Sequence, residues 1–253
     1  MAQGPTYKVK FRRRREGKTN YYRRQRLLRS QQTRLVIRKT NTKTIVQFVN
    51  ANVIGDTTVA SATSPEIGAH GWSAGTSNLP SAYLTGYLAG LRAEARGVKE
   101  AVLDVGLHPP VRGSRIYAAL KGVIDAGIDI PYKPEVLPDE DRITGEHIVN
   151  AFKYYSENPN NSYAFSKIGK KKTNITGIPR QFKATKDALN AIPAATLKKK
   201  SKRKKPAAKK ATPAAKKPKK EKVAEKPPRA VPRKPKPKKL ISRGKGKKRK
   251  RGK

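Results

Sequence analysis

Three groupings in this 253-residue chain have residue types and spacing that could do chemistry. The stretch "GWSAG", Gly71 to Gly75, matches the G-x-S-x-G pattern, in which a serine on a sharp turn attacks a carbonyl and a histidine takes its proton. Asp104 and His108 follow in acid-then-base order. That mechanism needs a buried strand running straight into the turn and a helix straight out of it. Here "SPEIGAH" precedes, and the next helix waits until about Asn78, so the stretch reads as a glycine-rich loop. "EGKT", Glu16 to Thr19, resembles the end of a phosphate-binding loop, but Arg12 stands where its first glycine belongs and no apolar strand leads in. His70, His108 and His147 are far apart, each without a second ligand at metal-binding spacing. The chain has no cysteine, which removes disulfides, thiolate metal sites and thiol redox chemistry. No catalytic residue, metal ligand or cofactor is assigned.

The third grouping is different in kind. From Val9 to Ser30, "VKFRRRREGKTNYYRRQRLLRS" carries eight arginines, two lysines and one acid, Glu16. Arginine's planar fork grips phosphate through two hydrogen bonds and stacks on bases, which lysine does not. Phe11, Tyr21 and Tyr22 add faces for unpaired bases, each such stack being worth ~1–3 kcal/mol. The chemistry is recognition of a folded polyanion. A smaller site of the same kind falls at Arg112, Ser114 and Arg115, where a helix start favours an anion. A solvated helix start explains those residues equally well.

Charge is distributed to match. Of 60 Lys+Arg and 17 Asp+Glu, residues 1–39 hold 14 and 1, residues 197–253 hold 29 and 2, and the middle is nearly neutral. Charge this crowded calls for a polyanion, because salt screens only beyond about 10 Å. Nucleic acid is the simplest choice. No apolar run approaches the roughly 20 residues that span a bilayer. "MAQGPTYKVK" lacks a signal-peptide core, and Ala2 stands where myristoylation needs glycine. The expectation is a soluble cytoplasmic protein on nucleic acid, with no membrane and no small-molecule substrate.

The elements that must position these residues follow in order. Residues 1–33 read as a basic arm, in which Lys18 to Gln31 can form a helix with Tyr21, Leu27 and Leu28 inward. "RLVIRKT", "KTIVQFVNA" and "TTVASAT" are β-branched runs broken by turns, a three-strand meander. "SNLPSAYLTGYLAGLRAEARG" is a helix with Asn78 as cap, Pro80 in the first turn and Gly97 as stop. Ala82, Gly86 and Gly90 leave one side of it bare, which predicts close approach to the sheet. "VKEAVLDVG" is a buried strand, "GSRIYAALKGVIDAG" a second helix with Ile116, Leu120, Val123 and Ile124 inward, and "IDIP" a last short strand. The fold class is α/β, with a core over residues 34–130. Residues 131–196 read as a helical and loop appendage. Residues 197–253, Lys/Ala/Pro-rich and without apolar period, read as a disordered tail.

The motifs "VKFRRRREGKTNYY", "TSNLPSAYLTGYLAGL" and "ALKGVIDAGIDIP" together resemble the large-subunit ribosomal proteins that bind 5S ribosomal RNA, over about residues 5 to 190. The sequence lacks the extra residues that eukaryotic members carry before "DVGLHPPVRGSR", and so is similar to the archaeal form. The resemblance implies a ribonuclease H-like mixed sheet with helices on its faces and no nuclease activity. It also implies an arm lying on 5S rRNA, with large-subunit rRNA and neighbouring ribosomal proteins of the central protuberance as further partners. Carried onto this chain, the arm's RNA-binding residues are Lys10, Phe11, Arg12, Arg13, Arg14, Arg15, Lys18, Thr19, Tyr21, Tyr22, Arg23, Arg24 and Arg26. In such proteins the loop before the second helix also nears RNA, which adds Arg112 and Arg115. The tail past Leu197 is outside the family pattern. Its texture supports a competing reading, a chromatin-like DNA-packing protein, against which the strand-rich core stands. A serine hydrolase using Ser73, Asp104 and His108 is the third.

Overall fold

The computed structural model describes residues 4–157, 165 and 174–198. The chain divides into two units, residues 1–202 and 203–253, and every described residue lies in the first. The tail expected from Leu197 is outside the described residues beyond Lys198, and so is most of the loop expected over residues 158–177.

Two arm helices, α1 (Arg12–Arg15) and α2 (Tyr21–Leu28), precede a meander of β1 (Arg34–Lys39), β2 (Thr44–Ala51) and β3 (Asp56–Thr63). A 3-10 turn over Ser64–His70 leads to α3 (Leu79–Glu94), then β4 (Val102–Asp104) and α4 (Arg115–Asp125). Four helices close the described chain: α5 (Glu140–Thr144), α6 (Glu146–Glu157), α7 (Ile178–Asn190) and α8 (Ala194–Lys198). The strand order is β3-β2-β1-β4, with β1 antiparallel to β2 and parallel to β4. This is the α/β arrangement that the element order predicts, with the mixed sheet that the resemblance implies.

Alternation along the strands assigns the two faces. Leu35, Ile37, Val46, Phe48, Ala60 and Ala62 are buried under α3 and α4. Their register neighbours Arg34, Val36, Arg38, Gln47 and Val49 lie on the opposite face, and a β-bulge at Phe48/Val49, which pairs Val49 with Thr58, brings Thr58 there too. A one-residue slip would exchange the two sets, so burial of the first fixes the position of the second.

Two expectations are corrected. "IDIP" forms no strand: only a parallel bridge joins Glu100 to Asp129, where Ala101 N–H donates to the Asp129 carbonyl at 3.0 Å. Pro131 follows at once and has no N–H to continue a ladder. The bare stripe of α3 meets α4, not the sheet. A Cβ built on Gly86 would lie 2.0 Å from the Ala119 carbonyl oxygen, and one on Gly122 would lie 2.2 Å from that of Tyr83. The two backbones touch, which offsets the ~1 kcal/mol that each helical glycine costs. The caps do form as the residues predict: Asn78 accepts from Ser81 N–H at 2.9 Å, and Gly97 takes φ +80° just past the helix.

The described part of residues 131–198 packs into the same core. Ile143, Ile175, Ile178, Phe182, Leu189 and Leu197 are buried within it. Phe182 meets the Tyr83 ring at 5.3 Å, and Tyr83 donates its hydroxyl to Asp125 at 2.6 Å.

Gly86→Ala therefore drives a methyl into backbone that cannot yield, while Gly68→Ala meets nothing within 4 Å. Overpacking of this kind costs about 3 kcal/mol. In thermal melts Gly86→Ala is expected to lower Tm by about 10 °C, with Gly68→Ala close to wild type.

Candidate nucleic-acid interface

The arm folds back over the open face of the sheet. Asn20 caps α2, its side-chain oxygen accepting from Tyr22 and Arg23 N–H at 3.1 and 3.2 Å. One side of that helix, with Tyr21, Arg24, Leu27 and Leu28, is half-buried, and the other is exposed. Arg24 is the anchor: its guanidinium donates two hydrogen bonds to Asp56, at 2.8 and 2.6 Å.

Asp56 begins a chain of alternating charges. It also accepts from Arg34 at 2.9 Å; Arg34 donates to Asp104 at 3.0 Å, and Asp104 accepts from Arg38 at 3.1 Å. The backbone N–H of Gly106 completes the shell of Asp104 at 2.9 Å. Arg34 is 2 % exposed, and its Nε has no partner. A charge so buried is tolerable only because both its terminal nitrogens meet carboxylates. Arg24 holds the Asp56 carboxyl below its ordinary range, chiefly by hydrogen bonding, against burial, which raises it. The sign follows: this stabilisation is present above the ordinary aspartate value and is lost only as pH falls through the lowered one. The anchor persists at neutral pH.

Between α2 and the sheet lies a cleft of about 950 Å³. Arg13, Lys18, Arg23, Arg26 and Arg38 supply its cations, while Gln47, Thr58 and Val36 line it from the sheet. Its two carboxylates, Asp56 and Asp104, are neutralised by the arginines already named. His108, also in the wall, is held below its ordinary pKa, first by burial and then by Lys39, Arg38 and Arg115. An imidazole so placed is neutral at neutral pH, which fits a site already crowded with positive charge.

The expected arm residues thus fall into groups. Lys10, Arg12, Arg14, Arg15 and Tyr22 are exposed and outside the cleft lining. Arg12 and Lys18 approach Glu16 at 3.9 and 2.8 Å, surface pairs that hold little energy. Arg14 lies over the Tyr22 ring at 5.4 Å, and Phe11, 70 % exposed, leans on Tyr21 at 5.0 Å. Arg13 reaches Thr19 at 2.9 Å around Gly17, and Arg23 reaches the Gly106 carbonyl at 3.3 Å. Arg24 alone among them is committed to an internal carboxylate pair. Arg112 is exposed and pairs, among the described residues, with Glu135 at 3.3 Å. Arg115 ties two loops together through the carbonyls of Thr40 and Ser77, at 3.2 and 2.8 Å.

Sequence reasoning missed Arg34, Arg38, Asp56 and Asp104 as a group. The available signal was Arg34-x-Val36-x-Arg38, two arginines on the outward side of a buried strand. The serine grouping does not assemble. Ser73 Oγ accepts from Gln181 Nε2 at 2.9 Å, Asp104 is held by arginines, and His108 faces the cleft. Trp72 pins the loop by donating to the Gly75 carbonyl at 3.2 Å.

Removing one member of a buried ion network leaves its partner uncompensated, at about 3 kcal/mol or more. Asp104→Ala leaves buried Arg34 with Asp56 alone and frees Arg38, and should lower stability by that amount in chemical denaturation. Asp56→Asn releases the half-exposed Arg24 and takes one of the two carboxylates from buried Arg34, so it should lower the core melt as well and, at temperatures well below that melt, open Arg23 and Arg26 to trypsin. Equal resistance of α2 in Asp56→Asn and wild type would contradict the anchor.

The family model described as "Ribosomal large subunit proteins 60S L5, and 50S L18" matches residues 5–100 and 92–133. The chain is 49 % identical to large ribosomal subunit protein uL18 of Korarchaeum cryptofilum over 192 residues, 76 % of this chain and 98 % of that one. It is 45 % identical to the uL18 of Methanothermobacter thermautotrophicus, over 75 % of this chain and 98 % of that one. With the uL18 of Aeropyrum pernix identity is 56 % over 149 residues, 58 % of this chain and 70 % of that one. These relatives are archaeal, as the missing eukaryotic residues suggest. The chain belongs to the family of large-subunit ribosomal proteins 60S L5 and 50S L18, structural components and not enzymes.

Proposed function

We propose that this chain, in the large ribosomal subunit of the cytoplasm, binds 5S rRNA through its arm and helps hold it against large-subunit rRNA in the central protuberance. The observation that carries the reading is the division of labour among the arginines. Arg24 and Arg34 are bound to carboxylates and fix the arm, while Arg12 to Arg15, Arg23 and Arg26 keep donors facing outward or into the cleft. A phosphate chain tracking α1 and entering the cleft meets cations already in place, so ordering the arm costs less at binding. Phe11 and Tyr22 offer exposed faces to unpaired bases beside those cations.

The core is the platform in this account. The order β3-β2-β1-β4, with β4 parallel to β1, supports a ribonuclease H-like topology. Arg112 extends the RNA surface at the start of α4, and Arg115 positions the loops there. Neighbouring ribosomal proteins of the central protuberance complete the set of partners.

The decisive variant changes Arg12, Arg13, Arg14 and Arg15 to alanine, because α1 buries no side chain and the fold should survive. Affinity for 5S RNA is expected to fall, and the log–log salt slope to flatten by about 3, at ~0.7–0.9 for each phosphate no longer neutralised. An unchanged slope removes the arm from the RNA. Duplex DNA as competitor separates this reading from a DNA-packing role, since preference for DNA would favour the latter.

A further inference from the structure

The tip of the β2–β3 hairpin is at odds with its surroundings. Asn52 and Gly55 close it with reciprocal backbone hydrogen bonds, both 3.2 Å, and Asn52 Nδ2 donates to Thr57 Oγ1 at 3.0 Å. At the two central positions stand Val53 and Ile54, with relative exposures of 107 and 104 %. Turn chemistry selects glycine, asparagine or aspartate there, so two β-branched aliphatics are poor local choices. Single exposed apolar residues need no explanation, but an adjacent pair held out on a hydrogen-bonded turn does.

Charge decides what such a tip can meet. Residues 44–91 contain no lysine or arginine, in a chain that holds 60. The two acids of that stretch are already engaged, Asp56 by Arg24 and Arg34 and Glu66 by Arg92. An RNA backbone against the hairpin end would find no cation from it, unlike at the arm. Another protein with a cationic surface could approach this segment without like-charge repulsion, and an apolar socket would gain two aliphatic side chains. Strand addition along β3 is discouraged, because Arg92 and Arg96 donate to the Ser61 and Val59 carbonyls. The tip, not the edge, is the contact.

We infer that Val53 and Ile54 form a knob that inserts into an apolar socket on a neighbouring protein of the large subunit. The inference does not depend on the arm's choice of RNA. Because the chain has no cysteine, Val53→Cys gives a single attachment point for a benzophenone maleimide. In assembled large subunits, irradiation is expected to give an adduct that survives ribonuclease and is destroyed by protease. An adduct with rRNA, or none, overturns the proposal. As a second measurement, Val53→Ser with Ile54→Ser should melt with wild type, retain 5S RNA affinity and lose about a hundredfold or more in retention on salt-washed subunits, the effect of taking two buried aliphatic side chains out of an interface. Unchanged retention means the tip is near a protein but contributes no binding, and equally overturns the proposal.

Discussion

The alternating chain Arg24–Asp56–Arg34–Asp104–Arg38 is the constraint on which the rest depends. It links the arm to β3, passes to Arg34 on β1, reaches Asp104 on β4 and returns to β1 at Arg38. Coulomb repulsion among the arm's cations would otherwise swing the first thirty residues away from a core that carries cations of its own. Two carboxylates cannot neutralise so many arginines, and they do not; they immobilise Arg24 of the arm with Arg34 and Arg38 of β1 and leave the arm's other cations for a partner. The cleft follows from that geometry, since Arg24, midway along α2, holds the helix over the sheet and the space between them is lined by both.

The arrangement separates positioning from recognition. The buried arginines have their charge satisfied inside the protein, so their geometry survives changes of salt at the surface. The exposed ones remain screened by water and ions until a polyanion displaces them. The neutral core serves both: α3 and α4, pressed backbone to backbone, give the sheet a rigid support, and the sheet presents Asp56 and Asp104 at fixed spacing.

Local signals in the sequence carried much of this. The Asn78 cap, the Gly97 stop, the meander and the inward stripe of α4 each depend on neighbours within a few residues. The family, too, was legible from three motifs. What stayed hidden depends on partners far along the chain. Ala82, Gly86 and Gly90 announce a close approach but not the surface approached. Asp56 resembles an ordinary turn residue, and Asp104 fits an acid in a hydrolase pattern, until strand register places both beside Arg34. For the same reason the arm's residue types were readable while the commitment of Arg24 was not. "IDIP" had strand composition but too little length before Pro131.

The central claim is that the arm is pre-set by carboxylates within the protein and completed by RNA. Amide hydrogen exchange of residues 12–28, in the free protein and in the large subunit, tests it directly. The account predicts that α2 is already slowed in the free protein, while α1 exchanges freely there and slows only in the subunit. If α1 and α2 exchange alike in the free protein and α1 stays fast in the subunit, the account is wrong.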